Sequence, residues 1–247
     1  MTTISLLPYQ DKNKIEIGID EAGRGCLFGD VFIAGVILPS NIIELIEKEN
    51  EGKKRNDTIV IKDSKKLSKK KRYLAKEFIE KVAIDYCIIQ KSNQRIDKIN
   101  ILQATLEGMH DVIDTIKTKP HKILVDGNRF YEYFDDNENK IEHECVIKGD
   151  NIYLSIACAS ILAKTNKDIF IEKMVENYPD LNKYDLLNNS GYGTPKHIDG
   201  IKKHGITEYH RKTFNICTNK EKKKYQPYQK NDASNSEVDD NICYFTK

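Results

Sequence analysis

The stretch I-E-I-G-I-D-E-A-G-R-G-C-L-F-G-D-V-F-I-A-G-V-I-L, Ile15 to Leu38, decides how this chain folds. An apolar, β-branched run ends in two adjacent carboxylates, Asp20 and Glu21. Gly23-Arg24-Gly25 follows, and a second apolar run spans Val31 to Leu38. The pattern predicts strand, polar turn, strand. Acids at a strand end, followed at once by a glycine-flanked arginine, are hard to explain as packing; the alternative is a surface turn with scattered charges. Neighbouring strand residues point to opposite faces. Asp20 and Glu21 therefore aim at one point only if the chain bends after Asp20, a bend the glycines permit.

Working outward, Ser40 is placed to cap a short helix through Ile42, Ile43, Leu45 and Ile46, and Glu47 to Lys62 reads as an exposed, charged insertion. Ser68 is a second N-cap, followed by Leu74, Phe78 and Val82 at helical spacing. The first turn of that helix, Lys69 to Arg72, is wholly basic, the wrong sign for the helix dipole. It fits either a solvated face or an end turned toward phosphates. Val82 to Ile89 reads as a strand. Leu102, Leu106, Met109, Ile113 and Ile116 form the core stripe of an amphipathic helix.

Lys122 to Gly127, K-I-L-V-D-G, repeats the opening design: an apolar strand ending in an acid, Asp126. Glu144 to Ile147 is a further short strand. Tyr153 to Tyr178 is helical and begins with small residues suited to close approach to a sheet. On it, Asp168 lies one turn beyond Lys164. Thr194, Pro195 and Gly205 mark the cap, first turn and end of another helix.

The chain has 247 residues, 32% of them charged, and a net charge of +2; its mean hydropathy is -0.60. Near-balanced charge neither favours nor excludes a nucleic-acid partner, so any basic surface is local. The longest apolar run, Val31 to Leu38, is far short of a membrane span, and Met1 to Lys14 does not read as a signal peptide. The six cysteines form no C-x-x-C pair, which argues against zinc and for reduced thiols in a cytosolic or nuclear protein; the location expected is cytoplasmic. A chain of this length fits one large domain or two small ones, and residues 1–217 read as its globular part. From Thr218 the composition turns polar, and 218–247 reads as a disordered charged tail.

Strands separated by helices imply an α/β fold with a mixed or parallel sheet, whose sites lie beyond the carboxyl ends of the strands. Asp20, Glu21 and Asp126 belong there, and Asp168 joins them if its helix packs nearby; by itself Asp168 is equally a surface acid. Clustered carboxylates need a neutralising cation. Oxygen donors without Cys or His favour Mg²⁺ or Mn²⁺ over Zn²⁺. Two such ions about 4 Å apart suit phosphodiester cleavage.

Several motifs then occur in order: D-E-A-G-R-G at 20–25, D-S-K-K-L-S at 63–68, N-I-L-Q-A-T at 100–105, V-D-G-N at 125–128, K-G-D at 148–150, S-I-A-C-A-S-I-L-A-K-T-N-K-D at 155–168, G-Y-G-T-P-K-H at 191–197 and H-G-I-T-E-Y-H-R-K-T-F at 204–214. Together they resemble ribonuclease HII over about residues 15–216. The resemblance implies a ribonuclease H-like fold, with a central mixed sheet, flanking helices and a C-terminal helical part carrying Tyr192. It implies Mg²⁺- or Mn²⁺-dependent hydrolysis of RNA in RNA–DNA hybrids and at single ribonucleotides in duplex DNA, leaving 3′-hydroxyl and 5′-phosphate ends. Asp20, Glu21, Asp126 and Asp168 would be the catalytic and metal-holding acids. Gly23, Arg24 and Gly25 would read the ribose 2′-OH and nearby phosphates, and Tyr192 would stack on the sugar that follows. Lys65, Lys148, Lys164 and Arg211 would contact phosphates.

The chain departs from the family pattern after Gly25, where Cys26, Phe28 and Asp30 stand in place of two prolines and a small residue. Asp30 is expected to add negative charge near the substrate. A monomer is expected, with a sliding-clamp contact through the tail, whose apolar cluster is Ile242, Tyr244 and Phe245. The rival readings are a catalytically silent hybrid-binding protein and another metal nuclease of the same superfold, such as a junction resolvase or an integrase.

Overall fold

The structure is a computed structural model that describes residues 5–218 and 243–246. Strand β1 is Glu16–Ala22 and β2 is Val31–Ile37. Helices α1 (Ile42–Asn50) and α2 (Lys69–Val82) lead to β3, Asp85–Lys91. Next come α3 (Asn93–Ile99), α4 (Ile101–Thr115) and β4, Lys122–Asp126. A short hairpin follows, β5 (Tyr133–Phe134) with β6 (Lys140–Val146). The long α5 (Leu154–Asn177) precedes α6 (Leu186–Asn189) and α7 (Pro195–His204). Strand β7 is Cys243–Thr246.

The strands form one mixed sheet in the order β5-β6-β4-β1-β2-β3-β7. β1 is antiparallel to β2 and parallel to β4, and β4 is parallel to β6. The α/β mixed sheet read from the sequence is thus present. Side-chain alternation along β1 divides the molecule. Ile17 and Ile19 join the α4 side of the core, with Met109, Val112 and Ile113 of the predicted stripe. Ala22 joins the other side, with the small residues that open α5. Gly18 is what lets β1 lie on α5: a Cβ there would stand 2.5 Å from Ser155 Oγ and closer still to the main chain of Ser155 and Ile156. The second half of α5 packs with Phe28, Leu181, Tyr184 and Ile201 in a separate C-terminal cluster. No helix among the described residues is long and apolar enough to cross a membrane.

Several local readings need correction. β1 does not bend after Asp20; it stays paired through Glu21↔Ile33 and Ala22↔Phe32, and the turn comes at Gly23, whose φ is +101°. Asn41, not Ser40, precedes α1, and it makes no side-chain cap bond. The 47–62 stretch is only partly exposed. Ile59 and Ile61 are buried in the core, each worth about 2 kcal/mol, and Asn50 exchanges two hydrogen bonds with the Ile59 main chain at 2.9 and 2.6 Å. Ser68 caps α2 and Thr194 caps α7, as predicted. Of the expected tail, 219–242 and Lys247 lie outside the described residues. Cys243–Thr246 add a strand to the free edge of β3 instead of remaining unpaired.

Candidate active site

The parallel neighbours β1 and β4 end side by side, with Ile19 opposite Val125. This places Asp20 and Glu21 just beyond the end of their pairing with β4, beside Asp126. Asp20 is 5% exposed. Its Oδ1 accepts the Glu21 N–H at 2.7 Å, and the Ser160 hydroxyl of α5 also bonds it. Burial, then the charges of Glu21 and Asp126, raise its carboxyl well above the ordinary value. Glu21 is raised by burial as well, although Arg24, 3.3 Å away, and Lys65 oppose the shift. Asp126 is raised by burial first and by Asp150, while the Gly149 N–H at 2.7 Å holds it down. Three carboxylates sharing one desolvated corner resist ionising together unless a cation joins them. No three carboxylate, His or Cys groups among the described residues already stand close enough to grip an ion between them. The donor set is nevertheless all hard oxygen, the kind that suits Mg²⁺ or Mn²⁺.

Asp168 is held differently. Its Oδ2 takes Arg72 Nη2 at 3.0 Å, and its Oδ1 takes Lys164 Nζ at 2.6 Å and the Ser190 hydroxyl at 3.0 Å. The structure thus gathers Asp20, Glu21 and Asp126 around one another and surrounds Asp168 with its own cations. Lys164, expected at a phosphate, is one of these cations, and it also sits 6.0 Å from the Tyr192 ring centroid.

Beside the acids lies the glycine-flanked loop. Gly23 is buried, whereas Arg24 and Gly25 face solvent. A Cβ on Gly23 would meet Lys167 Cε at 2.8 Å. Lys167 is 1% exposed; its ammonium donates to the Ser190 carbonyl and lies 5.1 Å from the Tyr192 ring centroid. Burial pushes this lysine below its usual value. The loop is stitched to the Tyr192 turn by the Leu27 N–H to the Gly191 carbonyl at 2.8 Å and by the Cys26–Tyr192 bridge. Tyr192 is half-buried, and burial followed by the Cys26 sulfur raises its phenol.

Arg211 corrects an expectation. It is 0% exposed, so it braces the loop from within rather than meeting a phosphate: Nε donates to Gly29 O at 2.8 Å and Nη1 to Arg24 O at 2.9 Å. Asp30 is a second correction. It is buried, its Oδ1 accepts the Asn93 N–H at 3.0 Å, and burial pushes its carboxyl up to about 6 against the pull of Asn93 and Arg211. It presents no charge to a substrate. Cys26 and Phe28 are likewise buried.

The family model described as Ribonuclease HII matches residues 17–217. A ribonuclease HII of Parabacteroides distasonis is 47% identical over 211 residues, covering 85% of this chain and 95% of that protein. The chain belongs to the ribonuclease HII family. The family hydrolyses RNA in RNA–DNA hybrids and at ribonucleotides in DNA, so the chain is an endonuclease of that class. Two solved structures share its fold. The PCNA:RNase HII complex from Archaeoglobus fulgidus has a TM-score of 0.62 at 24% identity and covers 81% of this chain and 95% of that one. Bst-RNase HIII in complex with Mn²⁺ has a TM-score of 0.54 at 18% identity, with 83% and 68% covered.

For a ribonuclease HII chain, the surroundings of the acids come from residues that spacing alone does not single out. Lys65 is exposed, yet its charge reaches both Glu21 and Asp126. Its turn is set by Asp63, which accepts the Lys65 N–H at 3.0 Å, and by Ser64, whose hydroxyl lies 3.0 Å from that of Ser160. Lys148 is exposed and left-handed (φ +58°), and it leads into the Gly149 N–H that holds Asp126. Arg72, Ser160 and Lys167 were not singled out from the sequence. The one signal for Arg72 was the basic first turn of α2; the structure turns that arginine inward, to Asp168 and to the Leu67 carbonyl at 2.7 Å.

Proposed function

We propose that this chain cuts the ribonucleotide-bearing strand of a duplex on the 5′ side of the ribonucleotide, using divalent ions held by Asp20, Glu21 and Asp126, with Asp168 completing the set. The observation that carries this reading is the trio of carboxylates, Asp20 buried and Glu21 and Asp126 partly buried, each raised by desolvation, next to an exposed Arg24-Gly25 turn. The Mn²⁺ of the Bst-RNase HIII complex points to the same ion class. Bound there, Mg²⁺ or Mn²⁺ supplies an activated water and stabilises charge on the phosphoryl group and leaving oxygen.

The protein's own groups do the positioning. The 2′-OH is the group that tells RNA from DNA, and the exposed main chain at Gly25 approaches it without a Cβ in the way, while buried Gly23 turns the chain against Lys167 behind it. Arg24 forks onto a phosphate, and Tyr192 offers a ring face to the following sugar. Lys65 and Lys148 stand in solvent for phosphates to meet. The Archaeoglobus fulgidus neighbour is solved with PCNA; a clamp contact through residues 218–247 is proposed here on that analogy.

The test is cleavage of a DNA duplex carrying one ribonucleotide, with Mg²⁺ and Mn²⁺ run in parallel and an all-DNA duplex as control. A single cut 5′ to the ribonucleotide, abolished by EDTA and absent from all-DNA, is expected. Binding without a cut would establish the silent hybrid-binding reading instead, and cleavage of all-DNA or branched DNA would establish a different nuclease.

A further inference from the structure

His197 and His210 have no part in the reaction just described, yet both are completely buried. Their Nε2 atoms lie 3.2 Å apart. At that separation one ring donates and the other accepts, and the surroundings decide which. The main-chain N–H of Thr207, a donor by necessity, meets His210 Nδ1 at 2.9 Å. His210 therefore carries its proton on Nε2 and donates it to His197 Nε2. His197 must then be protonated on Nδ1, which donates to the Tyr192 carbonyl at 2.9 Å. The four groups form a one-way chain, from Thr207 N–H through His210 and His197 to the Tyr192 C=O. The Thr194 N–H reaches the same carbonyl at 2.8 Å, so both acceptor positions of that oxygen are used.

The far end of the chain is fastened to the substrate-reading loop. His210 bridges Phe28, the Gly29 N–H reaches the Tyr209 carbonyl at 2.8 Å, and the Arg211 N–H reaches the Leu27 carbonyl at 2.9 Å. The imidazoles are walled by rings: His210 has Tyr184 at 4.8 Å and Phe28 at 5.2 Å, and His197 has Tyr184 at 6.0 Å. The Tyr184 hydroxyl turns away to the Gly205 carbonyl at 2.9 Å, and the Arg211 guanidinium turns away to Arg24 and Gly29. A second proton on either ring would set donor against donor at Thr207 or between the two Nε2 atoms.

We propose that His197 and His210 are positioning residues, a neutral pair that fixes the Tyr192 turn against the Gly23-Arg24-Gly25 loop and so sets the affinity for a ribonucleotide junction. This rests on the role given to Tyr192 above. Burial, which holds both rings below the ordinary histidine value, agrees with it.

Two measurements test it. The first compares wild type with His197→Phe, which keeps a ring but no hydrogen bond, and His197→Asn, whose Nδ2–H stands where Nδ1–H was. On the one-ribonucleotide duplex, His197→Phe is expected to raise KM roughly tenfold, the equivalent of one positioning hydrogen bond, with a smaller change in kcat. His197→Asn is expected to recover most of that loss. Unchanged KM in His197→Phe, or equal losses in both variants, would overturn the proposal. A wild type that does not cut this duplex would instead overturn the function proposed above. The second measurement needs no variant: side-chain ¹⁵N NMR of the full chain should find His197 protonated on Nδ1 and His210 on Nε2, both neutral at pH 7. The opposite tautomers, or an imidazolium at pH 7, would overturn the relay whatever the kinetics show.

Discussion

Substituting Gly18 by alanine tests whether the acids depend on how closely β1 lies on α5. The added Cβ would stand 2.5 Å from Ser155 Oγ and meet the Ser155 and Ile156 main chain as well. Carbon contacts relax only at about 3.5 Å or more, so strand and helix must part by roughly 1 Å. Overpacking of this kind costs about 1–3 kcal/mol, and a main-chain neighbour that cannot rotate away puts Gly18→Ala at the upper end. For a domain of this size that is roughly a 6–12 °C fall in Tm. Asp20 lies two residues along the same strand and is tied to Ser160 on the same helix. A 1 Å shift between reacting groups costs about 100-fold in rate, so kcat should fall by about that much. Scanning calorimetry and the one-ribonucleotide cleavage assay read the two effects. Adding Ser155→Ala should restore little, because the obstruction is the backbone. A Gly18→Ala protein with wild-type Tm and rate, or full rescue by Ser155→Ala, would refute the reasoning.

Three other outcomes are expected. Asp126→Asn keeps an oxygen for the Gly149 N–H but loses the charge, so it should fold normally and lose most activity; an unchanged rate would break the metal argument. Arg72→Met removes the Asp168 and Leu67 bonds and leaves Asp168 buried with Lys164, costing about 3 kcal/mol in urea unfolding; a change near zero would mean that Arg72 is dispensable to the fold. The Asp30 carboxyl is raised on folding from 3.8 to about 6. The folded state therefore binds more protons between those values, and the contribution of Asp30 is full below about pH 4 and lost as pH rises through about 6. Asp30→Asn should accordingly compare better with wild type at pH 8 than at pH 4, by about 3 kcal/mol; the same offset at both pH values would exclude it.

Much of the sheet was readable because its signals are local. The β1 run ends in acids, α4 carries an unbroken apolar stripe, and α7 has Thr194, Pro195 and Gly205 in cap, first-turn and terminal places. The three central carboxylates were readable for the same reason, since each acid sits at or beside the end of an apolar strand. What escaped depends on residues far apart in sequence. The burial of Ile59 and Ile61 follows from a pairing with Asn50 inside a stretch that is otherwise charged. Arg72 looks like any lysine-rich helix start until α5 brings Asp168 to it. Asp30 and Arg211 look like surface charges, and only the folding of the C-terminal segment onto residues 27–29 buries them. Neither histidine of the buried pair carries a local mark of its partner.

The Arg211 brace spans 182 and 187 residues of sequence to Gly29 and Arg24. During synthesis at about 5–20 residues per second, Arg211 is made roughly 10 to 40 s after the loop it supports. The acid-bearing strands can pair early, but the Gly23-Arg24-Gly25 loop stays without its inner support until Arg211 has been made. A ribosome that stops before codon 211 therefore leaves that loop unbraced, so its order is decided by a residue made long after it.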